Sequence, residues 1–356
     1  MISQLKSKWK FIAILAIPYF AFLFVSTYPT EWSLNAPGGL SEVEGSYQLF
    51  DFETYETNGS FYSLYIIGLE NPTLLQLILA HFNDAVTLRT PPVQHHGVTQ
   101  RQFIERASIQ RQNTDNIAVL MIYDTFGFDI DPMYEVRQVI TLINRDFSEA
   151  ETLNTRDRVL SIQTDDTQYG TNFAAVPCDT PFDVLVIRDG EEEPELLTGL
   201  VKLRNESGTC VNSIETTTFY HILEAEAIFG TGPTWIGGPS GALMQFLQMY
   251  DSLIEDDLIQ GRKIAGTGTL SFRFENGNLI SSVGTVGGIK QKVIAAGHAG
   301  VEIFFVPPGT NDSNYNEAVH TNETYGFAME IVRVETWQEA VAYLLGEDVE
   351  DVFGND

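Results

Sequence analysis

A serine set among small residues, and a pair of lysines behind two glycines, are the residues of this chain best suited to covalent chemistry. Gly237-Gly238-Pro239-Ser240-Gly241-Ala242 leaves the Ser240 hydroxyl unshielded by its neighbours. Gly287-Gly288-Ile289-Lys290-Gln291-Lys292 places two lysines in the first turn of a predicted helix. A serine hydroxyl is a weak nucleophile until a base takes its proton, and a lysine amine becomes such a base when burial holds it neutral. Ser240 sits where a helix is expected to begin. Unpaired N–H groups and the positive dipole end there stabilise an oxyanion, and glycines let a carbonyl approach. The pattern points to acyl transfer. The structural alternatives for the same strings are a capping serine in a Gly-rich turn and lysines that snorkel to solvent.

Two helices must position these groups. Leu243, Phe246, Leu247 and Tyr250 recur at i, i+3, i+4 and i+7, which predicts a helix over Pro239–Asp256 with one buried face. Pro239 suits its first position and Gly238 its N-cap. In the second helix, Gly288–His298, Ile289, Val293 and Ala296 form the buried stripe. Lys292 lies on one flank of that stripe and Lys290 a little farther off on the other, so the wheel favours Lys292 only slightly. Between the helices, Leu270, Phe272 and Phe274 alternate with polar residues toward an Asn276-Gly277 hairpin turn. Val301–Val306 reads as a buried strand ended by Pro307-Pro308-Gly309, and Thr336-x-x-Glu339 caps a last helix through Leu345.

Upstream, Ser46–Phe52 and Ser60–Gly68 read as strands, and Asn71-Pro72 opens a short helix through Leu79. Thr99-x-x-Gln102 is a capping box for a helix that uses Ile104, Ala107, Ile117, Leu120 and Met121 and stops near Gly127. From Met133 the period changes to strands: Val136–Ile143, Arg158–Gln163, Phe182–Arg188 and Leu197–Leu203.

The whole chain narrows the partners. Asp and Glu number 48 against 20 Lys and Arg, a net charge of −28 that repels nucleic acid and anionic surfaces. No C-x-x-C or H-E-x-x-H spacing exists, His95-His96 is an isolated pair, and no metal or other cofactor is expected. No G-x-x-x-x-G-K-[ST] phosphate loop occurs, so no ATP-driven step is expected. Lys6, Lys8 and Lys10 precede an uncharged stretch from Phe11 to Thr30, with acids after it. That order predicts an uncleaved transmembrane anchor with a cytoplasmic N-terminus, a cleaved signal peptide being the other reading. Either places the remainder outside the cytoplasm. There Cys178 and Cys210, the two cysteines of the chain, are free to form a disulfide or stay as buried thiols.

The segment from Ile236 to Leu345 resembles the proteolytic domain of the Lon family, and most of all the membrane-anchored, PDZ-containing Lon-like proteases of bacteria. The likeness is carried by Ile236–Met244, Gly261–Thr269, Val283–Lys292 and Ile303–Pro307. It implies a Ser240 nucleophile, a Lys292 base, Thr267 hydrogen-bonded to the lysine, and Gly238 supporting the nucleophile turn. It also implies self-association and peptide or protein substrates. The family order Ser-Ala-Gly is here Ser240-Gly241-Ala242, which keeps the site small. Residues 131–205 resemble a PDZ domain lacking its groove-closing helix between Thr167 and Thr180. The expected architecture is therefore α/β (α+β): an anchor at 1–30, an α+β region at 31–130, a degenerate PDZ-like β-rich module at 131–205, a Lon-type proteolytic domain at 206–346 and an acidic tail at 347–356. Two other functions fit the residues: a proteolytically inactive anchored scaffold, or an α/β-hydrolase-like esterase pairing Ser240 with His298 or His320.

Overall fold

The computed structural model describes residues 2–43, 47–49, 52–223, 227–229, 237–275 and 278–354. Ile236 and the Asn276-Gly277 turn lie outside the described residues. The chain is a mixed α/β protein. It opens with α1 (Ile2–Thr27), which contains Pro18. The expectation of a transmembrane anchor is corrected here: among the described residues no helix is long and apolar enough to cross a membrane.

After α1 come β1 (Ser33–Glu42), β2 (Tyr47–Leu49), β3 (Phe61–Glu70), α2 (Leu74–His81), β4 (Thr87–Arg89) and α3 (Gln100–Thr125). The α3 capping box forms as the sequence predicts, with Thr99 and Gln102 exchanging side-chain and backbone bonds. The sequence does not predict β1, because Pro37-Gly38-Gly39 looks like a loop. In the fold those residues form a bulge where β1 crosses close over β3, and a Cβ at Gly38 would collide with the Tyr65 carbonyl.

A second group of strands follows: β5 (Tyr134–Ile143), β6 (Ser148–Glu149), β7 (Arg158–Gln163), β8 (Gln168–Gly170), β9 (Phe182–Ile187), β10 (Pro194–Lys202) and β11 (Ile214–Ile222). They pair antiparallel in the order β11-β5-β7-β9-β10-β6, with β8 on β7. Alternation in β9 buries Phe182, Val184 and Val186 against Ile140, Ile162 and Leu200. Thr167–Thr180 holds β8 and one 3₁₀ turn, Phe173–Ala175. The last part contains β12 (Ala227–Phe229, paired with β2), α4 (Ala242–Asp251), β13 (Ile264–Gly266), β14 (Thr269–Glu275), β15 (Asn278–Gly284) and α5 (Ile289–His298). It ends with β16 (Ile303–Val306), α6 (Ser313–Tyr325), β17 (Glu330–Arg333), α7 (Trp337–Leu345) and α8 (Val349–Phe353).

Strand pairing redraws the boundaries expected at residues 130 and 206. A six-stranded sheet of order β17-β16-β13-β3-β1-β4 joins strands from 33–89 to strands from 264–333. Residues 31–130 are thus part of the same body as the C-terminal segment. The β11 strand, placed by sequence beyond the boundary at 206, completes the other sheet. In the six-stranded sheet β3, β13, β16 and β17 are parallel, β1 runs against them, and β4, antiparallel to β1, runs in their direction at the edge. Ile303 and Phe305 face a core built with α3, α4 and α7, while Phe304 and Val306 face one built with α5 and α6. This is a sheet covered on both faces, which is why β16 is buried throughout.

Cys178 and Cys210 form a disulfide with a Cα–Cα distance of 5.6 Å. It closes a loop of 32 residues in sequence separation, a length at which cross-linking contributes about 3–4 kcal/mol by limiting the unfolded chain. Replacing both cysteines with serine is expected to lower the unfolding free energy by that amount, read as a lower midpoint in urea. An unchanged midpoint would show that the cross-link does not stabilise the β-rich module.

Candidate active site

The serine reaches its position because α3 and the nucleophile turn touch. Gly237 has no room for a side chain, since a Cβ there would lie 2.7 Å from the Ala107 backbone. Gly238 takes φ 98°, a conformation open to glycine, and its N–H donates to the Ala107 carbonyl at 2.8 Å. Pro239 begins a single 3₁₀ turn, Pro239–Gly241, that runs into α4. The predicted helix is present but stops at Asp251 rather than Asp256. The Ser240 N–H stands at the start of this turn, with no preceding carbonyl of its own helix to bond.

Lys292 arrives from the opposite face of the sheet. Gly288 caps α5 in the left-handed region, φ 70°, and a Cβ there would meet the Ile66 side chain at 2.8 Å. Asn314 of α6 brackets the preceding turn: its amide donates to the Val286 carbonyl at 3.0 Å and accepts from the Val286 N–H at 3.1 Å. With Ile289, Val293 and Ala296 packed in the core, the lysine on their flank goes inside too, and Lys292 is 3% exposed. Lys290 is half-buried and stands outside the cluster.

The two helices meet at the carboxyl end of β13. Lys292 Nζ lies 2.8 Å from Ser240 Oγ and 2.8 Å from Thr267 Oγ1. Thr267 is fully buried, its N–H donates to the Phe305 carbonyl at 2.9 Å, and its hydroxyl donates to the Ser240 carbonyl at 3.1 Å. Because that hydroxyl proton is committed to Ser240, Thr267 Oγ1 presents only lone pairs to the amine. A neutral Lys292 then donates one N–H to Thr267 and turns its own lone pair toward Ser240 Oγ–H. The Gly268 N–H, which also donates to the Ser240 carbonyl at 2.9 Å, fixes the serine backbone from the same side.

Among the described residues no carboxylate forms an ion pair with Lys292. Burial therefore acts unopposed and lowers its pKa from the ordinary lysine value to about 7. The site opens into a cleft of about 450 Å³ whose apolar lining includes Ile66, Phe103, Ile104 and Val286.

The structure thus brings together Ser240, Lys292, Thr267 and Gly238. It does not bring in the histidines: His298 packs on the Phe327 ring at 5.3 Å, and His320 sits in α6. His95 pairs with Glu215 at 2.8 Å, and the described residues contain no cluster of three metal-ligating side chains. Sequence reasoning missed two contributors. Asn314 lies in a segment expected to be a loop, and Asp115 lies on α3, which carried no readable chemistry. Asp115 and Gln245 line a cavity of about 40 Å³ behind Ser240. Burial raises the Asp115 pKa to about 6, partly opposed by Arg111 and by the Gln245 hydrogen bond. No local pattern marks either residue.

No protein-family model, no curated protein and no solved structure matches the chain, so the site stands on its own geometry. That geometry has a thermodynamic consequence. Between pH 7 and the ordinary lysine pKa, the unfolded chain holds a proton on Lys292 that the folded chain releases, so stability rises with pH across that window. Below it both states are protonated and burial of the ammonium costs the fold on the order of 4 kcal/mol. Lys292→Met is expected to be more stable than the parent at pH 6, with the gap shrinking toward pH 10. Parallel unfolding curves at all pH values would contradict a desolvated amine.

Proposed function

We propose that the protein is a serine endopeptidase acting without ATP outside the cytoplasm, with Ser240 as nucleophile and Lys292 as general base. The observation that carries this reading is the 2.8 Å approach of a buried lysine amine to the Ser240 hydroxyl. Lys292 takes the Oγ proton as Oγ attacks the scissile carbonyl carbon. The oxyanion that forms is met by the Ser240 N–H at the start of the nucleophile turn. The Lys292 ammonium then gives its proton to the departing amine, and the C–N bond breaks to leave an ester on Ser240. Water, deprotonated by the same amine, attacks the ester and releases the acid product. Thr267 keeps the lone pair aimed through both half-reactions. The disulfide is consistent with an oxidising compartment. Flexible peptide segments are the fitting substrates, since the motifs for ATP-driven unfolding are missing from the sequence and the cleft is only partly enclosed by apolar residues.

Cleavage of a quenched fluorescent peptide library by the purified chain tests this. Ser240→Ala and Lys292→Met are each expected to reduce turnover about 10³-fold or more, with folding intact by circular dichroism. Near-normal turnover in either variant excludes its assigned role. In the active protein, kcat/KM should climb with pH and level off above an inflection near 7, where Lys292 loses its proton. A profile flat from pH 5 to 9 would remove Lys292 as the base.

A further inference from the structure

A second cavity, of about 490 Å³, lies between α3 and the seven-stranded sheet, away from Ser240. In a chain with net charge −28, its wall gathers four of the thirteen arginines: Arg137, Arg156, Arg158 and Arg188. Their pairing is unequal. Arg137 and Arg158 share one carboxylate, Glu135. Arg188 is held at 2.6 Å by both Asp157 and Glu195. Arg156 has no carboxylate partner among the described residues, and its guanidinium donates to the neutral Gln112 side chain at 2.9 Å. Arg156 also has φ 72°, a left-handed conformation that glycine would adopt with less strain. Among the described residues Arg156 is thus the arginine of this wall held by a neutral partner, and it stands beside three others.

The rest of the lining narrows the ligand. Ile109, Val139 and Phe219 pack together as a buried apolar floor. His221, on the same wall, has its pKa lowered by burial and then by Arg137 and Arg158, which outweigh the raising effect of Glu135. With Glu135, Asp157 and Glu195 set against three of the arginines, Arg156 is the guanidinium of the wall without a carboxylate partner among the described residues. The exposed mouth is acidic, with Asp189, Glu191 and Glu192 on the turn between β9 and β10. Acids at the entrance disfavour a dianion such as phosphate, while one guanidinium without a carboxylate partner beside an apolar floor suits a single negative charge joined to an apolar group.

We propose that this cavity binds a carboxylate carried on an apolar body, with the Arg156 guanidinium as its direct partner. The site is separate from the Ser240 cleft and does not depend on the proteolytic reading. A peptide C-terminus and a free aliphatic acid both present this chemistry, and the experiment separates them.

The full-length Ser240→Ala chain, used so that no probe is cleaved, is titrated calorimetrically. The probes are acetyl-Ala-Leu with a free carboxylate, its C-terminal amide, hexanoate and inorganic phosphate. The free acid is expected to bind about 10-fold or more tightly than the amide, as loss of a charge-assisted pair requires. Arg156→Gly, which relieves the left-handed backbone and so should fold at least as well, is expected to lose the same preference. Hexanoate binding as well as the dipeptide acid would identify a free acid as the occupant, and binding of the dipeptide acid alone would identify a peptide terminus. Equal affinity for acid and amide, binding unaffected by Arg156→Gly, tighter binding of phosphate, or no carboxylate binding at millimolar concentration would each overturn the proposal.

Discussion

An amine buried with no carboxylate partner among the described residues is the constraint around which the rest is arranged. A lysine at 3% exposure is tolerated only if it can shed its proton or find hydrogen-bond partners, and the fold supplies two hydroxyls rather than a carboxylate. A carboxylate in the place of Thr267 would have held the ammonium charged and useless as a base. Hydroxyls leave the pKa to desolvation, which sets it near neutrality. The apolar stripe of α5 therefore has a chemical as well as a packing role: Ile289, Val293 and Ala296 exclude the water that would restore the ordinary lysine pKa.

Geometry explains how side chains from opposite faces of a sheet can touch. α4 covers one face of the six-stranded sheet and α5 the other. Their N-termini meet at the end of the three-residue β13, where Thr267 still bonds to Phe305 of β16 before the chain passes into β14. The glycines around it keep the crossing narrow. A Cβ at Gly266 would lie 2.8 Å from Met244 and 2.9 Å from Phe305, and one at Gly268 would overlap Val283. Open parallel strands characteristically place functional groups beyond their carboxyl ends, and here the end of β13 holds the hydroxyl that orients the base.

What the sequence made legible follows the range of each signal. The stripes of α4 and α5, the capping boxes at Thr99 and Thr336 and the alternation in β14 are local patterns, and each yields its element. The β1 strand was hidden because Pro37-Gly38-Gly39 meets the needs of a bulge against Tyr65, a partner nearly thirty residues away. α6 was hidden because its buried positions are Asn314, Ala318 and Thr321, two of them polar and satisfied only in the folded state. Pairing of Phe61–Ser63 with Ile264–Gly266 crosses two hundred residues, so no window could show that 31–130 belongs with the C-terminal segment. The anchor expectation came from hydropathy at the N-terminus, and among the described residues no helix is both long and apolar enough to cross a membrane.

α3 shows why a segment without reactive side chains can still govern a site. Its mixed polar and apolar sequence looks like a weakly amphipathic surface helix, yet two of its asparagines bond to the neighbouring strand. Asn113 donates to the Thr218 carbonyl and accepts from the Tyr220 N–H, while Asn116 donates to the Tyr220 carbonyl. These amides complete hydrogen bonding along β11 and tie α3 to the seven-stranded sheet. Leu120, Met121 and Ile122 on the same helix are buried in the core shared with α4, and the Ala107 carbonyl holds the Gly238 N–H. One rigid helix thus carries the β-rich module at its middle and the nucleophile turn near its start.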